Sequence, residues 1–252
     1  MKICVLASGS KCNSTYIETS SHKILIDMGT SLKYTKESLE KIGIDIKDID
    51  TILITHSHSD HTKGLEAYTK KYDAKIYIEE ATFKELGIEL PNYELITEDF
   101  KLDNLYIEVV RLSHDTASTI GYVINEDDKS MVYITDTGYI NKKYLDKIRN
   151  KDLYIMESNH DVEMLMTGKY QYHTKIRIVG DYGHLSNTDS AKYLSNVIGD
   201  NTKYILLAHL SHENNTKEKA YETLKNKLDD NKQYVNRIII TSQDEISEVI
   251  TL

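Results

Sequence analysis

The residues best suited to chemistry lie together in the segment His56-Ser57-His58-Ser59-Asp60-His61. Imidazole and carboxylate groups are side chains that hold Zn²⁺, Mn²⁺ and Fe ions in proteins. In an extended loop His56 and His58, two residues apart, point to the same side and can bind one ion. Asp60 and His61 are offset from this pair and can bind a second ion. The segment therefore predicts a site for two divalent metal ions.

One segment cannot complete two coordination spheres, so further ligands must come from elsewhere in the chain. Three candidates each follow closely after a hydrophobic β-type run: His114, Asp136 and His209. The ends of strands are where layered α/β proteins display their binding and catalytic groups. We therefore expect these residues to meet the histidine segment. Two ions about 3.5–4 Å apart can clamp a phosphodiester and lower the pKa of a water molecule toward neutrality.

Strand-like and helix-like patterns predict the elements that position these residues. Runs rich in isoleucine, valine and tyrosine predict strands over Ile3–Ala7, Thr15–Glu18, Ile24–Asp27, Thr51–Thr55, Lys75–Ile78, Leu105–Val110, Ile120–Ile124, Met131–Thr135, Leu153–Met156 and Lys203–Leu207. Helical periodicity with suitable end residues predicts helices over Ser31–Ile42, Ser186–Ile198 and Asn215–Leu228. Two sheets covered by outer helices, an α/β fold, would satisfy this order.

Composition and charge limit the class of protein. The chain of 252 residues has no Pro/Gly linker and no long run of one charge, which predicts a single domain over residues 1–252. It has no transmembrane run, a poor signal peptide and only two cysteines, Cys4 and Cys12, so we expect a cytoplasmic protein with reduced thiols. The net charge of −9 argues against a protein that coats nucleic acid with its whole surface.

The order of these groups, His-x-His-x-Asp-His, then a lone histidine, an aspartate and a late histidine, resembles the metallo-β-lactamase superfamily. The resemblance implies an αββα four-layer sandwich and a hydrolase with two divalent ions, Zn²⁺ or Mn²⁺, with Fe as a further option. Asp60 is expected to serve catalysis as well as metal binding, and Asp27 resembles an early aspartate that braces the histidine loop without binding metal. The implied ligands, bridged by Asp136, are His56, His58 and His114 for one ion, and Asp60, His61 and His209 for the other.

A closer resemblance, to the YycJ (WalJ) branch of this superfamily, covers nearly the whole chain. It rests on the segments Ala7–Ser10, His56–Gly64, Thr135–Tyr139, Glu157–Asp161, Gly183–Asn187 and Leu207–Asn215. That branch is regarded as exonucleases that act on DNA, with ties to mismatch repair, so the resemblance implies a DNA exonuclease that digests from 5′ to 3′. One departure is Cys12, where the branch usually has glycine. If that loop needs a positive φ, Cys12 is strained there.

Cleavage of a P–O bond also needs a proton for the leaving oxygen. Gly183–Ser186 resembles a segment of the ribonuclease Z group, in which a histidine backed by glutamate serves near the leaving group. His184 is therefore the expected general acid, and Glu157 the carboxylate that orients it. Basic and aromatic residues between positions 161 and 181 suit a single strand of nucleic acid. The expected substrate contacts are Lys169, Lys175, Arg177, Ser186 and Asn187.

Two other functions fit the same residues. One is a small-molecule phosphodiesterase of the same superfamily, acting on cyclic nucleotides or ribose phosphates. The other is a non-catalytic regulatory protein stabilised by metal. A missing metal ligand would favour this alternative, but all seven candidate ligands are present. A long positive groove leading to the metals would indicate a polymeric substrate, and a closed pocket would indicate a small one. Metal identity and oligomeric state stay open.

Overall fold

In a computed structural model, which describes residues 1–252, the chain folds into two seven-stranded sheets. The strands are β1 Lys2–Ala7, β2 Ser14–Glu18, β3 Lys23–Ile26, β4 Thr51–Leu53, β5 Lys75–Glu79, β6 Tyr93–Ile96, β7 Phe100–Leu102, β8 Leu105–Leu112, β9 Thr119–Glu126, β10 Lys129–Ile134, β11 Leu153–Glu157, β12 Tyr204–Ala208, β13 Arg237–Ile240 and β14 Ile250–Thr251. The helices are α1 Leu32–Lys41, α2 Ser59–Thr62, α3 Leu65–Thr69, α4 Glu80–Leu86, α5 Val162–Thr167, α6 Tyr172–Val179, α7 Asn187–Val197 and α8 Lys217–Asp230.

Both sheets combine an antiparallel part with a parallel part. The first has the order β14-β1-β2-β3-β4-β5-β6, antiparallel up to β3 and parallel from β3 to β6. The second has the order β13-β12-β11-β10-β9-β8-β7, parallel from β13 to β10 and antiparallel beyond. The register places Ile24 opposite Thr51 in the first sheet and Met131 opposite Leu153 in the second. Strands β1, β3 and β4 therefore end at one edge of the first sheet, and β8, β10, β11 and β12 at one edge of the second.

The main core lies between the two sheets, where alternate strand residues from both meet. Ile17 and Ile24 of the first sheet and Tyr122 and Ile155 of the second belong to this one buried cluster. Each fully buried residue of this size contributes roughly 1.5–3 kcal/mol to folding. Helices cover the outer faces, as the buried side chains Leu39 and Tyr68 on the first sheet and Leu194 and Leu224 on the second demonstrate. The predicted αββα four-layer arrangement is confirmed.

The sequence pattern identified the central strands and missed several edge elements. All ten predicted strands and all three predicted helices are present, with ends shifted by one or two residues. The unpredicted elements include β6, whose Tyr93, Glu94 and Leu95 are exposed and give no alternation of apolar and polar residues. The stretch between positions 161 and 181 contains the short helices α5 and α6.

The cysteines and the helices can be compared with the expectations of reduced thiols and no transmembrane segment. Cys4 and Cys12 are both free thiols, and Cys4 is buried. No helix in the structure combines the length and the apolar character needed to cross a membrane.

Candidate metal centre and active site

Three residues of the candidate site leave their strands through a left-handed backbone turn. The φ angle is +60° at Asp27 after β3, +57° at Asp136 after β10 and +55° at His209 after β12. This conformation costs a non-glycine residue roughly 1–2 kcal/mol, because the Cβ atom crowds the backbone. Asp27 and Asp136 both reach His61, at 2.7 and 3.0 Å respectively. The strained turns therefore aim polar groups from both sheets at a common point.

One set of ligand-type atoms belongs to His56, His58 and His114, and these atoms lie within 4.8 Å of one another. Nδ1 of His56 lies 3.0 Å from the Thr55 hydroxyl, and Nδ1 of His114 lies 3.2 Å from the Gly183 carbonyl. The Nε2 atoms of His56 and His114 are buried and have no hydrogen-bond partner. Burial lowers the pKa of both imidazoles, which favours the neutral form that binds a metal.

A second set contains Asp60, His61, Asp136 and His209. Oδ2 of Asp136 lies 3.0 Å from Nε2 of His61, and Oδ1 lies 3.3 Å from Nε2 of His209. Oδ2 of Asp136 and Nε2 of His209 are nevertheless buried without a hydrogen bond. Oδ1 of Asp136 is also 3.8 Å from Nε2 of His114 in the first set, so Asp136 lies between the two sets.

The electrostatics of the second set fit a cation. Burial lowers the pKa of His209, but the carboxylates of Asp136, Asp60 and Glu157 together outweigh it and raise this pKa to about 10. The site therefore attracts positive charge. A divalent cation among these carboxylates and imidazoles would supply that charge and would give the unpartnered buried atoms a partner. The residues present fit the metal ions that the sequence pattern predicts.

Asp27 supports the histidine segment from beneath. Its carboxylate is fully buried and accepts hydrogen bonds from the backbone N–H and the hydroxyl of Thr55, both at 2.8 Å, and from Nδ1 of His61 at 2.7 Å. The bond to Nδ1 leaves Nε2 of His61 to face Asp136. Because Asp27 takes the Thr55 amide, β4 ends at Leu53 instead of continuing to Thr55 as predicted. Asp27 belongs to neither ligand set.

The loop between β1 and β2 contributes two contacts that residue chemistry alone does not predict. Nδ2 of Asn13 lies 2.9 Å from Nε2 of His61 and 3.3 Å from Oδ2 of Asp60. The Ser8 hydroxyl accepts a hydrogen bond from the His209 amide at 2.8 Å. Only the resemblance of the segment Ala7–Ser10 pointed to this loop. The strain considered for Cys12 is absent, because Cys12 is not among the residues with positive φ.

Glu157, at the end of β11, supports two histidines at once. Its Oε1 accepts from Nδ1 of His184 at 2.7 Å and lies 2.9 Å from Nδ1 of His209. Its Oε2 accepts from the backbone N–H groups of Thr137 and Leu185 at 3.0 and 3.1 Å. Burial raises the pKa of Glu157, but the two imidazoles lower it to about 2, so the carboxylate is ionised. The predicted pairing with His184 is present, and the pairing with His209 is new.

Replacing Glu157 with glutamine is expected to weaken metal binding about 10- to 100-fold, because partners of a ligand histidine typically contribute that much. The amide keeps the size of the carboxylate but cannot accept all four donors around it. Competition with a chelator measures the affinity. A matched control is Glu126→Gln, another buried glutamate, which bonds Ser20 instead of a candidate ligand. Native affinity in Glu157→Gln would mean that Glu157 acts on His184 alone.

Five of the seven candidate ligands line a cavity of about 270 Å³: His58, Asp60, His114, Asp136 and His209. His184 lines the same cavity, with its Nδ1 held by Glu157, so Nε2 remains for a bound molecule. Tyr170, Thr174 and Arg177, in and before α6, also line the cavity. The cavity therefore brings together metal-type ligands, a carboxylate-supported histidine and one guanidinium.

The predicted substrate contacts divide into two groups. Arg177 lines the cavity and pairs with Asp115, and Lys169 is exposed just before α6 but does not line the cavity. Lys175 is buried, and its ammonium donates to the carbonyls of Met166 and Gly168 at 2.7 and 2.8 Å. It joins α5 to α6 and is not free for a substrate, so that assignment is corrected.

Ser186 and Asn187 are also structural. The Ser186 hydroxyl caps α7 by accepting from the Asp189 amide. The Asn187 side chain is buried and bonds both Ser158 and Asn215. Neither side chain has a free group for a nucleic-acid strand, so their assignment as substrate contacts is corrected as well.

Comparison with known proteins agrees with this geometry. A model of the metallo-beta-lactamase superfamily matches residues 7–209. Exodeoxyribonuclease WalJ from Streptococcus pneumoniae is 42% identical over 90% of this chain and 88% of its own length, and exodeoxyribonuclease YycJ from Bacillus anthracis is 39% identical over 86% and 84%. The crystal structure of the metallo-beta-lactamase fold protein YhfI from Bacillus subtilis has a TM-score of 0.71 at 14% identity, covering 98% of both chains. The chain belongs to the metallo-β-lactamase superfamily.

Proposed function

We propose that this protein is a metal-dependent DNA exonuclease that holds two divalent ions and digests from the 5′ end. The observation that carries the proposal is the placement of Asp136 between two sets of metal-type ligands, at a cavity that Asp136 and the Glu157-supported His184 both line. Two relatives that span most of the chain are named exodeoxyribonucleases, which supports DNA as the substrate.

The proposed ligands follow the two sets. His56, His58 and His114 would hold one ion, and Asp60, His61 and His209 the other, with Asp136 between them. Zn²⁺ and Mn²⁺ both suit this mixture of imidazole and carboxylate. When bound, such ions supply Lewis-acid stabilisation of phosphate charge and lower the pKa of water.

His184 would provide the proton for the leaving group. Water adds to phosphorus, the P–O bond to the neighbouring nucleotide breaks, and Nε2–H of His184 protonates the departing oxygen. Glu157 keeps Nδ1–H of His184 hydrogen-bonded throughout, which fixes the orientation of the ring. Arg177 lines the same cavity and would balance phosphate charge in exchange for its pairing with Asp115.

In the test, the purified protein is incubated with Mn²⁺ or Zn²⁺ and with one substrate at a time. The substrates are single- and double-stranded DNA and RNA labelled at the 5′ or the 3′ end, and cyclic nucleotides. We expect early release of the 5′ label from DNA as a mononucleotide or short product, and about two ions per chain by elemental analysis. Asp136→Ala, purified in the same way, controls for contaminating nucleases and should be inactive. Hydrolysis of cyclic nucleotides with no shortening of DNA would contradict the proposal.

A further inference from the structure

A second cavity, of about 370 Å³, adjoins the candidate active site. His114 lines both cavities, so the two are adjacent at this residue. Next to His114, the Gly138 amide donates to the Ser113 carbonyl at 2.9 Å, so the segment before Tyr139 is held against the segment before His114. A chain-like ligand whose reacting group lies at the metal-type residues could continue past His114 into this second space.

Tyrosine rings dominate the second cavity. Tyr139, Tyr144 and Tyr182 line it, and Tyr139 and Tyr182 are 40% and 66% exposed. A Cβ atom on Gly138 would lie 2.3 Å from the Asp181 carbonyl oxygen, so the two backbones are in direct contact there. This contact places Tyr139 and Tyr182, the residues that follow, on the same rim. Large flat rings that stay exposed beside an active site are suited to stacking on bases.

The charge of this cavity favours an anion. No carboxylate lines it, although the protein as a whole carries a net charge of −9. Two cations do line it, Arg111 and Lys143. Glu79 pairs with Arg111, whereas the Lys143 ammonium lies 4.8 Å from the centre of the Tyr144 ring. Lys143 is thus the cation that a phosphate in this cavity would meet.

We propose that the second cavity binds a nucleotide of the single strand next to the one being cleaved, with its base against Tyr139 and Tyr182 and its phosphate beside Lys143. This inference rests on the proposed function and extends it by assigning a subsite outside the metal centre. A cyclic nucleotide or another small diester would fill the first cavity alone. Two adjacent cavities that share His114 instead match a polymer that crosses the metal centre.

The test measures binding separately from cleavage. A fluorescein-labelled single-stranded oligothymidylate of about ten nucleotides, a length within one single-strand binding site, carries phosphorothioate linkages that resist hydrolysis. Fluorescence anisotropy then gives its Kd with the metal-loaded protein. We expect Tyr139→Ala/Tyr182→Ala to raise Kd at least about fivefold per stacked base. Tyr139→Phe/Tyr182→Phe should bind as the native protein does, because the ring faces are kept.

A matched control removes two tyrosines of similar exposure that line neither cavity. Tyr221 and Tyr234 are 40% and 81% exposed, on α8 and in the loop after it, and Tyr221→Ala/Tyr234→Ala should leave Kd unchanged. Lys143→Gln should reduce the slope of log Kd against log salt by about 0.7. Cleavage of bis(p-nitrophenyl) phosphate should be native in all these variants, which also reports correct folding.

Two outcomes separate the inference from the function. An oligonucleotide that binds the native protein no more tightly than Tyr139→Ala/Tyr182→Ala overturns the subsite, even if DNA is shortened in the exonuclease assay. A native protein that fails to shorten DNA overturns the proposed function, even if the tyrosines hold the oligonucleotide.

Discussion

Replacing His184 with alanine is expected to slow phosphodiester cleavage about 10²- to 10⁴-fold, the usual contribution of a positioned proton donor. The metal content should stay native, because Nδ1 of His184 is hydrogen-bonded to Glu157 and Nε2 faces the cavity. The loss should appear in kcat more than in KM. Elemental analysis and steady-state kinetics on the same sample measure both quantities.

The matched control is His173→Ala, a histidine exposed on α6 that does not line the cavity; its activity should be native. His184 also lies within 4.8 Å of potential ligand atoms of Asp136, Glu157 and His209. Loss of a metal ion from His184→Ala would therefore make His184 a ligand and would remove it as the general acid.

Gly29→Ala is expected to destabilise the protein by more than about 3 kcal/mol, beyond the usual cost of overpacking. A Cβ atom at this position would lie 1.6 Å from the Asp60 carbonyl oxygen and 2.8 Å from the Asn13 amide nitrogen. Both neighbours are backbone atoms, so no side-chain rotation relieves the overlap. The change would also displace Asp60 and Asn13 from His61. Urea denaturation gives the free energy of unfolding, and the exonuclease assay gives the accompanying loss of activity.

Gly87→Ala separates steric overlap from backbone strain. Gly87 has a φ of +62° and no atom within 4 Å of an added Cβ, so alanine should cost only roughly 1–2 kcal/mol. A Gly29→Ala protein as stable as Gly87→Ala, with native activity, would contradict the close contact between the loop after β3 and the histidine segment.

The part of the fold that the sequence predicts is the part with buried, periodic side chains. Strands such as the predicted Met131–Thr135 are nearly continuous apolar runs because both faces are covered. The positions of His114, Asp136 and His209 just after such strands predicted that they lie beside the histidine segment. The edge strand β6 and the short helices α5 and α6 leave no such pattern. Because Arg177 and Lys175 lie on different faces of α6, Arg177 lines the cavity and Lys175 is buried.

Residues that support the site through a few hydrogen bonds are also not predictable from the sequence pattern. Asn13 and Ser8 are small polar residues in a loop, and nothing in their spacing relates them to His61 and His209, which are far away along the chain. Glu157 was expected to serve one histidine because only one lay in a matching segment. Its second contact, with His209, depends on β11 and β12 being parallel neighbours.

The left-handed turns at Asp136 and His209 serve the active site but lower the stability of the fold. Both residues combine this backbone conformation with buried polar atoms that lack a protein partner, and glycine would remove both penalties. Selection of this chain for heat resistance alone, in the absence of metal, would accordingly favour glycine at these two positions. The most stable descendants would keep the four layers and lose the metal centre, because the fold does not need the groups that the chemistry does.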